Sequence, residues 1–525
     1  MRTFVVVLLV LAGLWIVADP GPGLPRADFV LGNGGEPRSL DPALATPLAE
    51  GRIARALFEG LVRLEGPDLK VAPAAAESFT VSDAGDVFRF TIRRGARWSD
   101  GVPVTAGHFR DGLLRLLDPD VGSRSAAYLF EIAGARTYYQ AKLKGAVGDP
   151  STVGVIAVDA GTLEIRTNGP APALLPTLAA PSLAPIRLDL IAADPGRWTH
   201  PEKLVSNGPF RLVYRSVRDR IRLARNPFYW DDAKTGFSTV DVLALDAQTT
   251  LVNLYFAGEV DWLTDVPTAL LREIATKHPE HLRTAPLYGT YFFRVNTRLK
   301  PFGNAKVRRA LDLAVDKQGI VDALLAGGER PAKSIVPPLV GEPPAFVRDV
   351  ALARRLMAEG LAEEGLSKLP AFELSCSAVP LHQAVCELLQ IQWRDAYGTE
   401  AGLARMEAQA FFAAVESGDY ALARGSWIGD YPDPLTFLDV FVGSDPNNQT
   451  GFSDPQYDRL VREDLRRTAD PARRAAIAAE AARLLDAAMP AIPIFHYASV
   501  NLIRPEIKGF EVNALDLHPL HRLGR

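Results

Sequence analysis

The stretch Arg97-Trp98-Ser99-Asp100-Gly101-Val102-Pro103-Val104-Thr105-Ala106 joins two kinds of secondary structure. Upstream, Phe79 to Asp83 and Val87 to Ile92 alternate apolar and polar residues, with Asp83-Ala84-Gly85-Asp86 between them. That period of two predicts a hairpin with a short turn. Gly95 to Gly101 ends the hairpin. Downstream, Thr105 offers a side-chain acceptor for the free N–H groups of a helix start, predicting a helix through Leu117. Alternation returns in Val153 to Val158 and Leu163 to Ile165. Residues 71–194 are therefore expected to form a small mixed domain. The proline-punctuated stretch Pro172 to Pro185 should pack a short helix against it.

Outside this unit, short strands and helices alternate. Asp28 to Leu31 reads as a strand, Asn33-Gly34-Gly35-Glu36-Pro37 as a loop, and Gly51 to Gly60 as a helix. Phe210 to Tyr214, Ile221 to Ala224, Val240 to Leu245 and Val260 to Trp262 read as strands, with a helix over Thr249 to Phe256. The aromatic run Leu287 to Asn296 is a further strand. Asn304 caps a helix that carries Val307, Ala310, Leu311, Ala314 and Val315 on one face, and Asp316 starts another through Leu325. Residues 347–362, 383–393 and 468–487 read as helices; Ala371 to Cys376, Leu403 to Met406, Asp419 to Arg424 and Ile492 to Tyr497 read as strands. The class is α/β.

With 525 residues, 48% of them apolar, the chain is long enough for two to four domains or lobes. Its net charge of -4 supplies no basic field for nucleic acid. Met1-Arg2 precedes an uncharged run from Phe4 to Ala18, short for a membrane span and suited to a signal-peptide core. Export is the expectation, with the run either cleaved or kept as an anchor. No cysteine lies near it for lipid attachment. Cys376 and Cys386 are the only cysteines, either paired or separate small hydrophobes.

Catalytic signatures are missing: there is no HExxH, no GxSxG and no phosphate loop after Gly34-Gly35. His518 and His521 have a weak metal spacing and are expected on the solvated surface, so neither metal nor cofactor is expected. The chemically richest segment is Ser426-Trp427-Ile428-Gly429-Asp430-Tyr431-Pro432-Asp433-Pro434. It reads as a stiffened loop that sets a carboxylate beside an indole. Asp430 is either a turn residue before Pro432 or a counter-charge for a ligand ammonium. Trp427 is core or pocket wall, and Asp433 a cap. Arg424 is a surface charge or the partner of a ligand carboxylate. His382 could do similar work or simply begin a helix. Tyr128, Tyr291 and Tyr497 are pocket walls, hydrogen-bond donors or core.

Together these segments resemble the solute-binding proteins of bacterial peptide ABC importers, the oligopeptide/dipeptide-binding family. The resemblance runs along nearly the whole chain after the leader. It rests on Asn33 to Pro37 with Leu40-Asp41-Pro42, Leu57-Phe58-Glu59-Gly60-Leu61, Ala76-Glu77-Ser78, and above all Arg97 to Ala106. Ser206 to Phe210, Arg225 to Trp230, and Pro301 to Asn304 with Val307 to Leu311 fit as well. The resemblance implies a large two-lobe periplasmic-binding-protein fold (class II, cluster C) with an additional small domain. One lobe would be discontinuous, over 27–70, 195–295 and 499–525; the small domain would cover 71–194 and the second lobe 296–498, after a leader at 1–26. Hinge closure would enclose the ligand. The protein would be a monomeric periplasmic receptor with no chemistry of its own, handing a short peptide to a membrane-embedded ABC permease that hydrolyses ATP.

Trp427 to Asp430 resembles the oligopeptide-binding branch, where the aspartate pairs with the peptide α-ammonium. Arg424 and His382 match positions that meet ligand carboxylates there. Gly35 and Glu36 match a loop lining the cleft, and Tyr128 and Tyr497 are weaker placements. Peptide backbone would add as a strand, with side chains in hydrated pockets. A cysteine found in some members after the tryptophan is here Ile428, so that family bridge is absent. Rival solutes within the family are cell-wall peptide, nickel chelate, haem, opine or sugar.

Overall fold

The computed structural model describes residues 24–45 and 49–525. The apolar run Phe4 to Ala18 and the leader as far as residue 23 lie outside the described residues. Among those described, no helix is long and apolar enough to cross a membrane.

The alternating segments build a four-stranded antiparallel sheet in the order Ala76–Val81, Val87–Ile92, Thr162–Arg166, Val155–Ala157. Phe79 lies opposite Phe90, and Gly85 turns the chain at φ +70°, a conformation that needs no Cβ clearance. The helix Ala106–Leu116 begins after Thr105. His108 Nδ1 accepts the Thr105 N–H at 3.1 Å and the Trp98 indole N–H at 3.2 Å, so cap and hairpin end are tied through one imidazole. Trp98 is fully buried. Phe88, Phe90, Leu163 and Ile165 on the sheet and Phe109, Leu113 and Leu116 on the helix share one core with Phe29, Leu31, Phe210, Leu212 and Val240. Each buried phenylalanine or leucine there contributes on the order of 2 kcal/mol. The small domain is thereby welded to the strands that precede and follow it in sequence.

Val62–Glu65 and Lys70–Pro73 pair as a separate two-stranded sheet, and the other strands form one eleven-stranded mixed sheet. Its order is Ala401–Met406, Phe372–Ser377, Leu422–Ile428, Leu282–Val295, Ala491–Ile503, Trp262–Leu263, Phe29–Gly32, Thr239–Leu243, Arg220–Arg225 and Phe210–Ser216, with Arg330–Pro331 added on Ala491–Ile503. The two central strands belong to both halves of the sheet. Residues 282–286 pair with 498–502, the register breaks between Pro286 and Thr290, and 290–294 pair with 491–496. A register break interrupts the ladder and lets two half-sheets lie at an angle. The change of partners thus falls inside the strand Leu282–Val295 rather than at its end. Separate cores fill the two sides: Tyr291, Phe293, Leu374 and Trp393 on one, Leu251, Tyr255 and Leu502 on the other.

Two expectations are corrected by the structure. Ser426-Trp427-Ile428 are the end of the strand Leu422–Ile428, paired to 289–291, and the loop starts only at Gly429. The polar and aromatic residues that suggest a loop sit at a strand tip, where one face borders a cavity. His518 and His521 are buried, not solvated. His518 Nε2 meets Asp516 Oδ1 at 2.9 Å and its ring stacks 3.9 Å from Phe510, while burial holds His521 down at about 4. Cys376 and Cys386 are both buried free thiols. A hydrogen bond from Cys386 lowers the Cys376 pKa, and the same bond with burial raises that of Cys386.

Candidate functional site

Alternation along Leu422–Ile428 sends Arg424 and Trp427 to opposite faces of the sheet. Trp427 packs with Tyr288, Phe437 and Tyr431, whereas Arg424 lies over the ring of Tyr291, 5.0 Å from its centroid. The predicted site residues therefore gather at two poles rather than in one cluster.

At the acidic pole, Gly429 N–H donates to Tyr288 O at 2.7 Å. A Cβ on Gly429 would stand 2.4 Å from the Tyr288 ring, so only glycine brings the chain this close. The next residue, Asp430, is fixed by its N–H to Thr436 Oγ1 at 3.2 Å; the Trp427 indole N–H reaches the same oxygen at 3.5 Å. The Asp430 side chain is partly buried and faces a cavity of about 110 Å³. Tyr128, Glu131 and Thr177 of the small domain face Trp427, Asp430 and Asp439 across it. Burial pushes the Asp430 carboxyl up to about 6, and a hydrogen bond with Tyr128 opposes the rise only in part. No basic side chain forms an ion pair with it among the described residues. Ligand sites for drug-sized molecules start near roughly 300 Å³, so this cavity has room for one end of a ligand.

At the basic pole, Arg424 Nη2 donates to Tyr497 Oη at 3.1 Å, while its Nε is buried without a partner. No carboxylate pairs with it among the described residues. His382, in the first turn of Pro380–Tyr397, sets its ring 5.6 Å from Tyr291. Its Nδ1 is also buried and unpartnered, as is Tyr291 Oη. Burial, helped by Arg424, holds His382 down at about 4, so it is neutral at pH 7.

Gly35 and Glu36 do not join either pole. Glu36 is held by Arg215 at 2.7 Å and by the Arg218 N–H at 3.1 Å, and Gly35 packs against Asp246. The Glu36 carboxylate is thus engaged within its own lobe. Asp433 pairs with Arg474 at 2.8 Å and accepts the Leu435 N–H at 2.9 Å, which makes it structural.

Sequence reasoning passes over Thr436, which positions both Trp427 and Asp430. It also passes over the ionic contacts beside the cavity. Arg466 bridges Glu131 of the small domain and Asp439, and Arg467 meets Glu131 at 2.7 Å and Pro170 O at 3.2 Å. Nothing local marks these residues, because Glu131 and Arg466 meet only across the tertiary interface. With Tyr128 on Asp430, they join the small domain to the strand tip at Ile428 and to the segment 429–467 beyond it.

A two-lobed α/β molecule with a shared central sheet, an extra small domain and a polar cavity where they meet is a periplasmic-binding-protein fold of class II, a non-catalytic solute receptor. More particularly, the chain belongs to the bacterial extracellular solute-binding proteins, family 5, whose middle-region model matches residues 70–449. The periplasmic oligopeptide-binding protein OppA of Salmonella typhimurium is 31% identical over 96% of this chain and 93% of its own. The probable deoxycholate-binding periplasmic protein YgiS of Escherichia coli is 33% identical over 94% of this chain and 92% of its own. The solved structure of the Escherichia coli murein tripeptide binding protein MppA matches with a TM-score of 0.81 and 29% identity, covering 95% of this chain and 98% of that one.

Proposed function

We propose that this protein captures short peptides with a free amino terminus between its lobes, in the periplasm, and delivers them to an ABC permease in the membrane. The observation that carries the reading is Asp430: a carboxylate facing a cavity, hydrogen-bonded to Tyr128 and without an ion-pair partner among the described residues. A charged group removed from water is costly until an opposite charge and further hydrogen bonds compensate it. A ligand ammonium supplies both. Of the carboxylates lining the cavity, Glu131 and Asp439 are paired with Arg466, whereas Asp430 and Asp445 have no ion pair among the described residues, which favours a cationic ligand end.

Arg424 is the complementary feature. Its unpartnered Nε and the neutral imidazole of His382 suit a ligand carboxylate. A peptide carries both charges on one extended chain. Trp427 and Tyr128 then act as walls of the amino-terminal pocket, and Tyr497 orients Arg424. Glu36 and Gly35 contribute, on this reading, through main chain alone. On this reading the receptor divides into lobe I (27–70, 195–295 and 499–525), the small domain (71–194) and lobe II (296–498).

The likeness to a protein described as deoxycholate-binding sets the sharpest rival. An anionic steroid would use Arg424 and leave Asp430 buried without a counter-charge. Calorimetry on the mature protein with Ala-Ala-Ala, its N-acetylated form and deoxycholate separates the two. Saturable binding of the free tripeptide, lost on acetylation, is the expected result. Binding of deoxycholate with no response to the tripeptide overturns the proposal.

A further inference from the structure

Away from both poles, the chain turns from the helix Thr268–Lys277 into the strand Leu282–Val295 through His278-Pro279-Glu280-His281. This turn gathers three metal-binding donors. Glu280 Oε1 lies 3.3 Å from His281 Nε2 and 4.0 Å from His278 Nδ1, and all three donor atoms fall within 4.8 Å of one another. Tetrahedral zinc, with bonds of about 2.0–2.1 Å to nitrogen and oxygen, holds its ligand atoms about 3.3–3.4 Å apart. One edge of such a tetrahedron is therefore already in place, and a second needs only a small side-chain rotation.

The surroundings orient the donors. Tyr255, fully buried, sets its Oη 2.6 Å from His281 Nδ1. With the proton on Nδ1 and donated to this phenol oxygen, Nε2 turns its lone pair toward Glu280. Metal-binding histidines are commonly fixed in this way by a partner on the other ring nitrogen. The Phe256 ring packs 4.8 Å from that of His278 and forms an apolar wall. His281 is 16% exposed, whereas His278 and Glu280 are 44% and 55% exposed, so an ion has an entry path and an open side for water.

We propose that His278, Glu280 and His281 bind one divalent transition-metal ion of the zinc class, with water in the fourth position. Two imidazoles and a carboxylate suit zinc, nickel or copper(II) and disfavour calcium and magnesium, which take oxygen ligands. The ion would clip the end of a helix to the start of the strand that crosses both lobes. Glu280 and the histidines do not line the Asp430 cavity, so the site is independent of the ligand reading.

The test uses the mature full-length protein stripped with a chelator. Zinc chloride titrated by calorimetry should bind one ion, and cobalt(II) should give the intense visible absorption of a four-coordinate site. Zinc, but not calcium, should raise the melting temperature. His281→Ala and Glu280→Gln should each weaken zinc binding at least tenfold. Tyr255→Phe, which removes only the orienting hydroxyl, should weaken it by about tenfold. His278→Ala, at an exposed position, guards against misfolding as the cause. No saturable zinc binding, or zinc affinity unchanged in both His278→Ala and His281→Ala, overturns the site.

Discussion

The two poles of the proposed ligand site differ in how their charges are housed. Asp430 borders a cavity whose opposite wall comes from the small domain. Arg424 is held at the central strands, among Tyr291, Tyr497 and His382. Only the acidic pole is lined by two domains. On the proposed reading it couples ligand charge to domain movement, while the basic pole adds affinity without requiring movement. A charge that waits for its partner across a hinge is the simpler trigger for a receptor that must report occupancy.

That contrast can be broken in several ways. The largest effect belongs to Asp430→Ala. It removes an enclosed charge pair and should weaken free tripeptide binding by about 3 kcal/mol, roughly 100-fold, in calorimetry. Unchanged affinity would remove Asp430 from the site. Arg424→Met should cost about tenfold for a peptide acid and nothing for the corresponding amide. Equal losses for acid and amide would make Arg424 structural.

The pH profile sharpens the same comparison. Burial holds the Asp430 carboxyl at about 6, above its ordinary range, so the ligand-free protein gains stability as pH falls from about 6 toward 4. Binding an ammonium needs the ionised form. Affinity should therefore drop as pH falls below about 6, approaching tenfold per pH unit. His382 sits at about 4 and stays largely neutral until the lower end of this range. Asp430→Asn should flatten the profile; a slope that survives in this variant would point to another group. The smallest effect is expected at the bridge from Glu131 to Arg466 and Arg467. Glu131→Gln should weaken binding by about 0.5–1 kcal/mol, with the difference shrinking in high salt. A salt-independent loss would argue against an ionic latch.

Much of the scaffold is legible in the chain because its signals are local. The Phe79–Ile92 hairpin needs only alternation and a glycine turn, and the helices after Thr105, Asn304 and Asp316 need only a cap and an apolar face. The strand tip at Ser426-Trp427-Ile428 shows the limit. A polar, aromatic segment resembles a loop until the partner strand at 289–291 satisfies its backbone. His518 departs from a surface reading for a related reason: Asp516 and Phe510 make burial acceptable to an imidazole that local sequence would leave in solvent.

By itself, the sequence determined the α/β class and the family resemblance, and it singled out the residue types found at the two poles. Periodicity, caps and ordered motifs are properties of neighbours along the chain. The tertiary structure alone decided that Arg424 and Trp427 face opposite ways and that Glu36 is tied to Arg215. It also decided that Thr436 anchors Asp430, and that Tyr128 and Glu131 close the cavity from another domain. Those facts depend on register and on contacts between distant segments. Charge and burial then act on whatever geometry those contacts create.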